Sequence, residues 1–283
     1  MNAYERAFNL AKAIIGKMRK LHYGPQNFAS LDVICSDLDI HSGKSSDEAA
    51  VFMRPLSKEE LHAFVPKEQP LKLYPSISGT PLRMRYLDAR CLSSSLYTYL
   101  HLSLDHLDGN DFEDRFNPDP RVLVKEARWY GRGMEWNEGE RLAVLKTKVY
   151  FAVDELYEKL DENDTCMLAG LPHITPMLSD NAEMLEDHLS FAELWCILCC
   201  TIARIRSRDG YRRYRFMPVT VMSFSGRSAR VVHGYVDEPA GKLRVFKSKI
   251  IHFKVDNYRS GMDTLASWTL GHAIEPPLWE PSD

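Results

Sequence analysis

Apolar residues recur at every third or fourth position in several long stretches of the chain. From Tyr4 to Leu21 they interleave with charges at helical spacing, and Gly24-Pro25 closes the run, which predicts an amphipathic helix. Between Glu138 and Leu160, the residues Leu142, Leu145, Val149, Val153, Leu156 and Leu160 share one broad face, so this stretch reads as the clearest helix of the chain. Ala182–Arg206 repeats the pattern with an apolar centre and predicts a buried helix. Arg90–Leu107 reads as another, although its serines and tyrosines lower the propensity. Ser57-Lys58-Glu59-Glu60 matches a capping box at the head of a short helix.

Shorter runs carry strand character. Ser30–Ile40, "SLDVICSDLDI", is rich in Val and Ile and stops at "HSGKSSD". Leu82–Ala89 and Thr165–Leu171 read as two more strands. Near the C-terminus, Phe216–Phe224, Ala229–Val236 and Lys242–Val255 are separated by the turn sequences "SGRS" and "DEPAGK", which predicts a three-stranded antiparallel meander. Pro218 fits at the first residue of its strand or on an edge. Gln69–Pro81 and Asp105–Pro120 read as loops, and the tail from Glu275 as extended chain. The expected fold is α+β, one compact unit over residues 1–283, with helical N-terminal and middle regions packed against a C-terminal antiparallel β-meander.

Composition narrows the class without naming an activity. No apolar run approaches the ~20 residues that span a bilayer, so no membrane partner is expected. The N-terminus lacks the apolar core and cleavage site of a secretory signal. The six cysteines do not form a disulfide framework, and the expectation is a soluble, reduced, cytoplasmic chain.

Charge changes the picture more. The whole chain is formally −3, but Thr201–Lys254 holds thirteen Lys/Arg against three Asp/Glu, a local +10 that leaves −13 for the remainder. Such asymmetry points to an anionic partner or to pairing within the fold. The densest part is "RIRSRDGYRRYRF", Arg204–Phe216. Arg204 and Arg208 share a face at a helix end, and Asp209-Gly210 is a helix stop. In an extended chain beyond it, Tyr211, Arg213 and Arg215 would project one way, and Arg212, Tyr214 and Phe216 the other. Guanidinium forks suit phosphate oxygens, and rings between them suit stacking on bases. The helix dipole accounts for Arg204, Arg206 and Arg208 but not for Arg212, Arg213 and Arg215.

The leading expectation is therefore a polyanion, RNA or a nucleotide-bearing substrate. Its ligands would be Arg204, Arg208, Tyr211, Arg212, Arg213, Tyr214 and Arg215. The plainer reading pairs these cations with the acidic remainder of the same chain. A third reading is a basic surface for an acidic protein partner.

A second constellation is "SDLDIHSG". Asp37 and Asp39, two apart on a strand, would face one side and could hold Mg²⁺ for nucleotidyl or phosphoryl transfer. The third carboxylate such a site needs would be Asp88, on the strand expected at 82–89. The Gly-Ser turn that normally accompanies the pair is missing, since Gly24-Pro25 stands there. Mg²⁺ is implied only on this transferase reading.

Other patterns favour packing. Cys196 and Cys199 have CxxC spacing, but they lie inside an apolar helical run with no second ligand pair. His101, Asp105 and His106 are too few for a metal site, and His188 and His233 stand alone. There is no Walker A loop, no G-x-G-x-x-G and no G-x-S-x-G, and "GRG" at Gly131–Gly133 opens no helix.

One stretch resembles a known group. "MPVTVMSFSGRSARVVHGYVDEPAGKLRVFKSKI", Met217–Ile250, is similar to the closing segment of a group of uncharacterised small fungal proteins. In these a "PV" strand, a glycine turn, a second strand and a "KS" strand follow one another. The resemblance covers about an eighth of the chain. It implies a fungal origin and supplies no activity for these positions.

Overall fold

The computed structural model describes residues 3–64, 82–102, 129–132, 151–159, 171–206 and 211–279. The helices are α1 (Ala3–Lys17), α2 (Pro25–Phe28), α3 (Lys58–Phe64), α4 (Leu82–Leu102), α5 (Phe191–Arg206) and α6 (Tyr258–Thr269). The strands are β1 (His22–Tyr23), β2 (Val33–Asp37), β3 (Met53–Arg54), β4 (Trp129–Arg132), β5 (Phe151–Lys159) and β6 (Ile174–Asp180). They continue with β7 (Leu189–Ser190), β8 (Val219–Ser225), β9 (Ser228–Asp237), β10 (Lys242–Lys247), β11 (Ile251–His252) and β12 (His272–Ala273).

Eight of the described strands form one sheet, in the order β2-β10-β9-β8-β6-β5-β4, with β11 also paired to β9. The expected three-stranded antiparallel run is present as β8, β9 and β10, but it is the middle of a larger mixed sheet. β2 lies parallel to β10, and β6 lies parallel to β8. Helix α5 makes the crossover from β6 to β8, as a parallel pair requires. The strands β2, β6, β8 and β10 therefore all run the same way.

Alternation along these strands builds two cores. Val219, Val221, Val232 and Val236 face α1 and α5, where Ala7, Ala11, Ile14, Ala192, Cys196 and Ile197 are buried. Met222, Phe224, Val231 and Tyr235 face α4 and α6, where Leu92, Leu96, Met262, Leu265 and Trp268 are buried. The architecture is α+β in three layers, helix–sheet–helix, over the described residues.

Several sequence expectations are corrected. Leu82–Ala89 is the first part of α4 and not a strand; Ala89, Leu92, Leu96 and Leu100 make one buried helical stripe. Residues 151–159 are strand β5, where a helix was expected through Leu160. The reason is a register shift between Val153 and Glu155. A bulge adds one residue, so Leu156 rejoins the core face of Phe151 and Val153 while Tyr157 turns to the other core. The resulting spacing of three mimics a helix. Helix α5 starts at Phe191, not at Ala182, because Ser190 and Glu193 close a capping box there: the Glu193 N–H donates to Ser190 Oγ at 3.2 Å, and the Ser190 N–H donates to Glu193 Oε2 at 2.8 Å.

The capping box at Ser57 and Glu60 forms as read, ahead of α3. Pro218 immediately precedes β8, and its carbonyl accepts from the Ile174 N–H. The loops expected at Gln69–Pro81 and Asp105–Pro120 lie outside the described residues, as does all but the last residue of the strand expected at Thr165–Leu171. No helix among the described residues is long and apolar enough to cross a membrane.

Candidate functional site: a cleft at the carboxyl ends of the strands

Because β2, β6 and β10 run the same way, the loops that follow them meet at one end of the sheet. They enclose an open cleft of about 720 Å³, lined among others by Asp37, Asp39, Lys44, Asp187, Lys247 and Lys249. Its volume falls in the range of small-ligand sites. Crevices at the carboxyl ends of parallel strands are a preferred place for ligands in open sheets.

Each wall has a local cause. Asp37 and Lys247 end β2 and β10 in register, and Lys247 Nζ lies 3.0 Å from Asp37 Oδ1. Beyond β2 the chain closes on itself. The Asp39 carboxylate accepts the N–H groups of Ser42, at 2.7 Å, and His41, at 3.0 Å. The Ser42 bond, first among several, holds the Asp39 carboxyl below its ordinary range. Gly43 turns the loop with φ +72°, and a side chain there would meet Pro55 Cδ at 2.8 Å. Lys44, Ser45 and Ser46 then return along the cleft, and Ser46 Oγ accepts the Asp37 N–H.

The third wall is the segment 181–188. Arg230 holds it from below, donating through Nη1 to the Leu185 carbonyl at 3.0 Å and through Nη2 to the His188 carbonyl at 2.7 Å. Its Nε donates to Glu193 Oε1 at 2.8 Å, and both side chains are only 1% exposed. Burial alone would push the Glu193 carboxyl up; the adjacent guanidinium and the Ser190 N–H bring it below the usual value. Behind the third loop, Ser248 exchanges hydrogen bonds with the Val231 backbone, so Lys249 is carried on a fixed support.

The charges of the cleft are mixed, and most are already engaged. Asp37 is paired with Lys247, Asp39 with its own loop, and Glu186 accepts the Ile250 N–H at 3.3 Å. Lys44 and Lys249 are exposed and have no ion-pair partner among the described residues. The Ser46 hydroxyl accepts the Asp37 N–H and keeps its own hydrogen to donate, while the Ser42 hydroxyl is engaged by the Asp39 carboxylate.

The Mg²⁺ site expected at Asp37, Asp39 and Asp88 does not assemble. Asp37 ends its strand with its side chain 79% exposed and paired to a lysine. Asp39 lies past the strand and turns its carboxylate back onto the loop. Asp88 sits on α4, packed on one face of the sheet, and is not among the residues lining the cleft. Among the described residues no group of three His, Cys, Asp or Glu is placed to hold a metal.

The arginine segment is at the other end of the sheet, leading into the start of β8. Arg204 is 4% exposed; it donates to the His173 carbonyl at 3.0 Å and lies 4.4 Å from the Tyr211 ring centroid. Tyr211 and Tyr214 are each 1% exposed, so neither presents a face for stacking. The chain is not extended here: Tyr211–Arg213 forms a 3₁₀ turn that includes Arg212, and Tyr214 bridges Leu278. Arg213 is exposed and donates to Tyr214 Oη at 2.9 Å; Arg215 is half-buried. Arg208 lies outside the described residues.

Three of the cations behind the local +10 pair with acids elsewhere in the chain, through Arg230–Glu193, Lys242–Asp32 and Lys247–Asp37, and Arg244 pairs with Asp237 inside the same segment. The cysteines of the CxxC, Cys196 and Cys199, are free thiols within α5. His233 is buried and hydrogen-bonded to Thr220 and to the Phe52 N–H.

Sequence reasoning missed Lys44, whose only signal is its place in the turn "SGKSS" after a Val/Ile strand, and the anchoring role of Arg230. No family model matches the chain, and neither a curated protein nor a solved structure matches it.

Proposed function

We propose that the cleft binds a phosphate-bearing ligand of the nucleotide-bearing class, with Lys44 and Lys249 on the phosphate oxygens. The observation that carries this reading is the pair of lysines with no ion-pair partner among the described residues, at one concave end of the sheet where Asp37, Asp39, Glu186 and Lys247 are already engaged. Ammonium groups are strong phosphate ligands, and hydrogen bonds to charged groups contribute about 1.5–3 kcal/mol each. The Ser46 hydroxyl adds a neutral donor beside them. This places binding in the cleft and assigns no reaction.

The test is a titration of the protein with ATP and, separately, with a short single-stranded RNA. The Lys44→Ala/Lys249→Ala variant is expected to weaken ATP binding tenfold or more, about 1.4 kcal/mol in binding free energy. Affinity of the parent should fall as salt rises. Unchanged ATP affinity in the variant contradicts the reading. RNA binding with no lysine-dependent ATP binding would move the function to the arginine segment.

A further inference from the structure

The last described residues return to the arginine segment and pair with it. Tyr214 bridges Leu278; the Arg215 N–H donates to the Pro277 carbonyl at 2.8 Å, and the Trp279 N–H donates to the Arg213 carbonyl at 2.9 Å. In such a ribbon side chains alternate between faces. Arg215 and Trp279 therefore share the face opposite Tyr214 and Leu278. Arg215 and Trp279 are diagonal neighbours, within reach of each other's long side chains.

Two N–H donors of that face are buried and have no acceptor among the described residues: Arg215 Nε and Trp279 Nε1. Buried N–H groups in folded proteins nearly always have one. Both orphans are donors, and one belongs to a permanent cation. The guanidinium of Arg215 is otherwise placed only against the Phe216 ring, 5.3 Å from its centroid. Arg213 is turned to the other face, with its guanidinium 4.9 Å from the Tyr214 ring centroid. The nearby carboxylate, Glu275, is taken up by the Tyr214 hydroxyl. What such a face lacks is an acceptor oxygen carrying negative charge.

We propose that this ribbon face binds a phosphate group, whose oxygens accept from Arg215 Nε and Trp279 Nε1. The site lies at the opposite end of the sheet from the cleft and is independent of it.

The indole N–H is its own reporter. Among the indole resonances of the five tryptophans, that of Trp279 is assigned by its loss in Trp279→Phe. Titration with inorganic phosphate, and separately with a short single-stranded RNA, should move that resonance saturably. Saturation by both points to any phosphate group, and by RNA alone to the diester strand; either supports the site. Arg215→Met should weaken the response at least tenfold, and Arg215→Lys, which keeps the charge but loses the fork, should weaken it too. Lys44→Ala/Lys249→Ala should leave it unchanged. A Trp279 resonance that stays put with both probes, or that moves in both Arg215 variants as it does in the parent, overturns the proposal.

Discussion

Arg230 and Glu193 form an ion pair in the interior, and the guanidinium also holds the backbone of the segment that makes one wall of the cleft. Removing one partner of such a pair leaves an uncompensated buried charge, at a cost of about 3–5 kcal/mol. Arg230→Met and Glu193→Gln are each expected to lower the urea midpoint strongly. The double variant should lose less than the sum, which a double-mutant cycle in urea measures.

Two other buried groups set the pH response. Burial pushes the Asp180 carboxyl up to about 6, from an ordinary 3.8. Between those values the folded chain holds a proton that the unfolded chain has released, so stability from this group is lost as pH rises through about 6. Burial pulls His233 down to about 3, so the unfolded chain takes a proton that the folded one refuses, and stability is lost as pH falls below 6.5. Asp180→Asn keeps an oxygen for the Ala182 N–H and removes the first slope. It should be more stable than the parent at pH 8, by on the order of 2–3 kcal/mol, with the gain fading toward pH 4 in urea melts.

At the scale of elements, the Ser190–Glu193 box decides where α5 begins. Ser190→Ala is expected to cost about 1 kcal/mol, read as a lower melting temperature. The sequence shows this box as S-x-x-E at 190–193, yet the apolar period running through it suggested an earlier start. Local signals were readable where they act alone, at the cap of α3 and the turns between β8, β9 and β10, whereas α1 ends at Lys17, short of the expected Leu21. They misled where a long-range contact decides. The bulge in β5 gives a strand the spacing of a helix, and only its pairing with β6 distinguishes the two. Leu82–Ala89 looked extended because its residues alternate, and the packing of Ala89, Leu92 and Leu96 on the sheet makes it a helix. The cleft was half readable. "SDLDIHSG" marked the right loop by its aspartates, but the parallel pairing of β2 with β10, which brings Lys247 and Lys249 to that loop, links residues about two hundred positions apart and leaves no local trace.

Among the described residues, part of the basic C-terminal charge pairs with acids elsewhere in the chain, and cations without an ion pair stand at both ends of one sheet. At one end two lysines face a cleft; at the other, arginines lie along a ribbon closed by the tail. Amine-selective labelling followed by mass spectrometry, with and without ATP, tests the assignment of the cleft most directly. The account predicts that ATP slows modification of Lys44 and Lys249 severalfold and leaves the exposed Lys12 and Lys58 unchanged. Equal modification of all four, at ATP concentrations that saturate any binding, would contradict it.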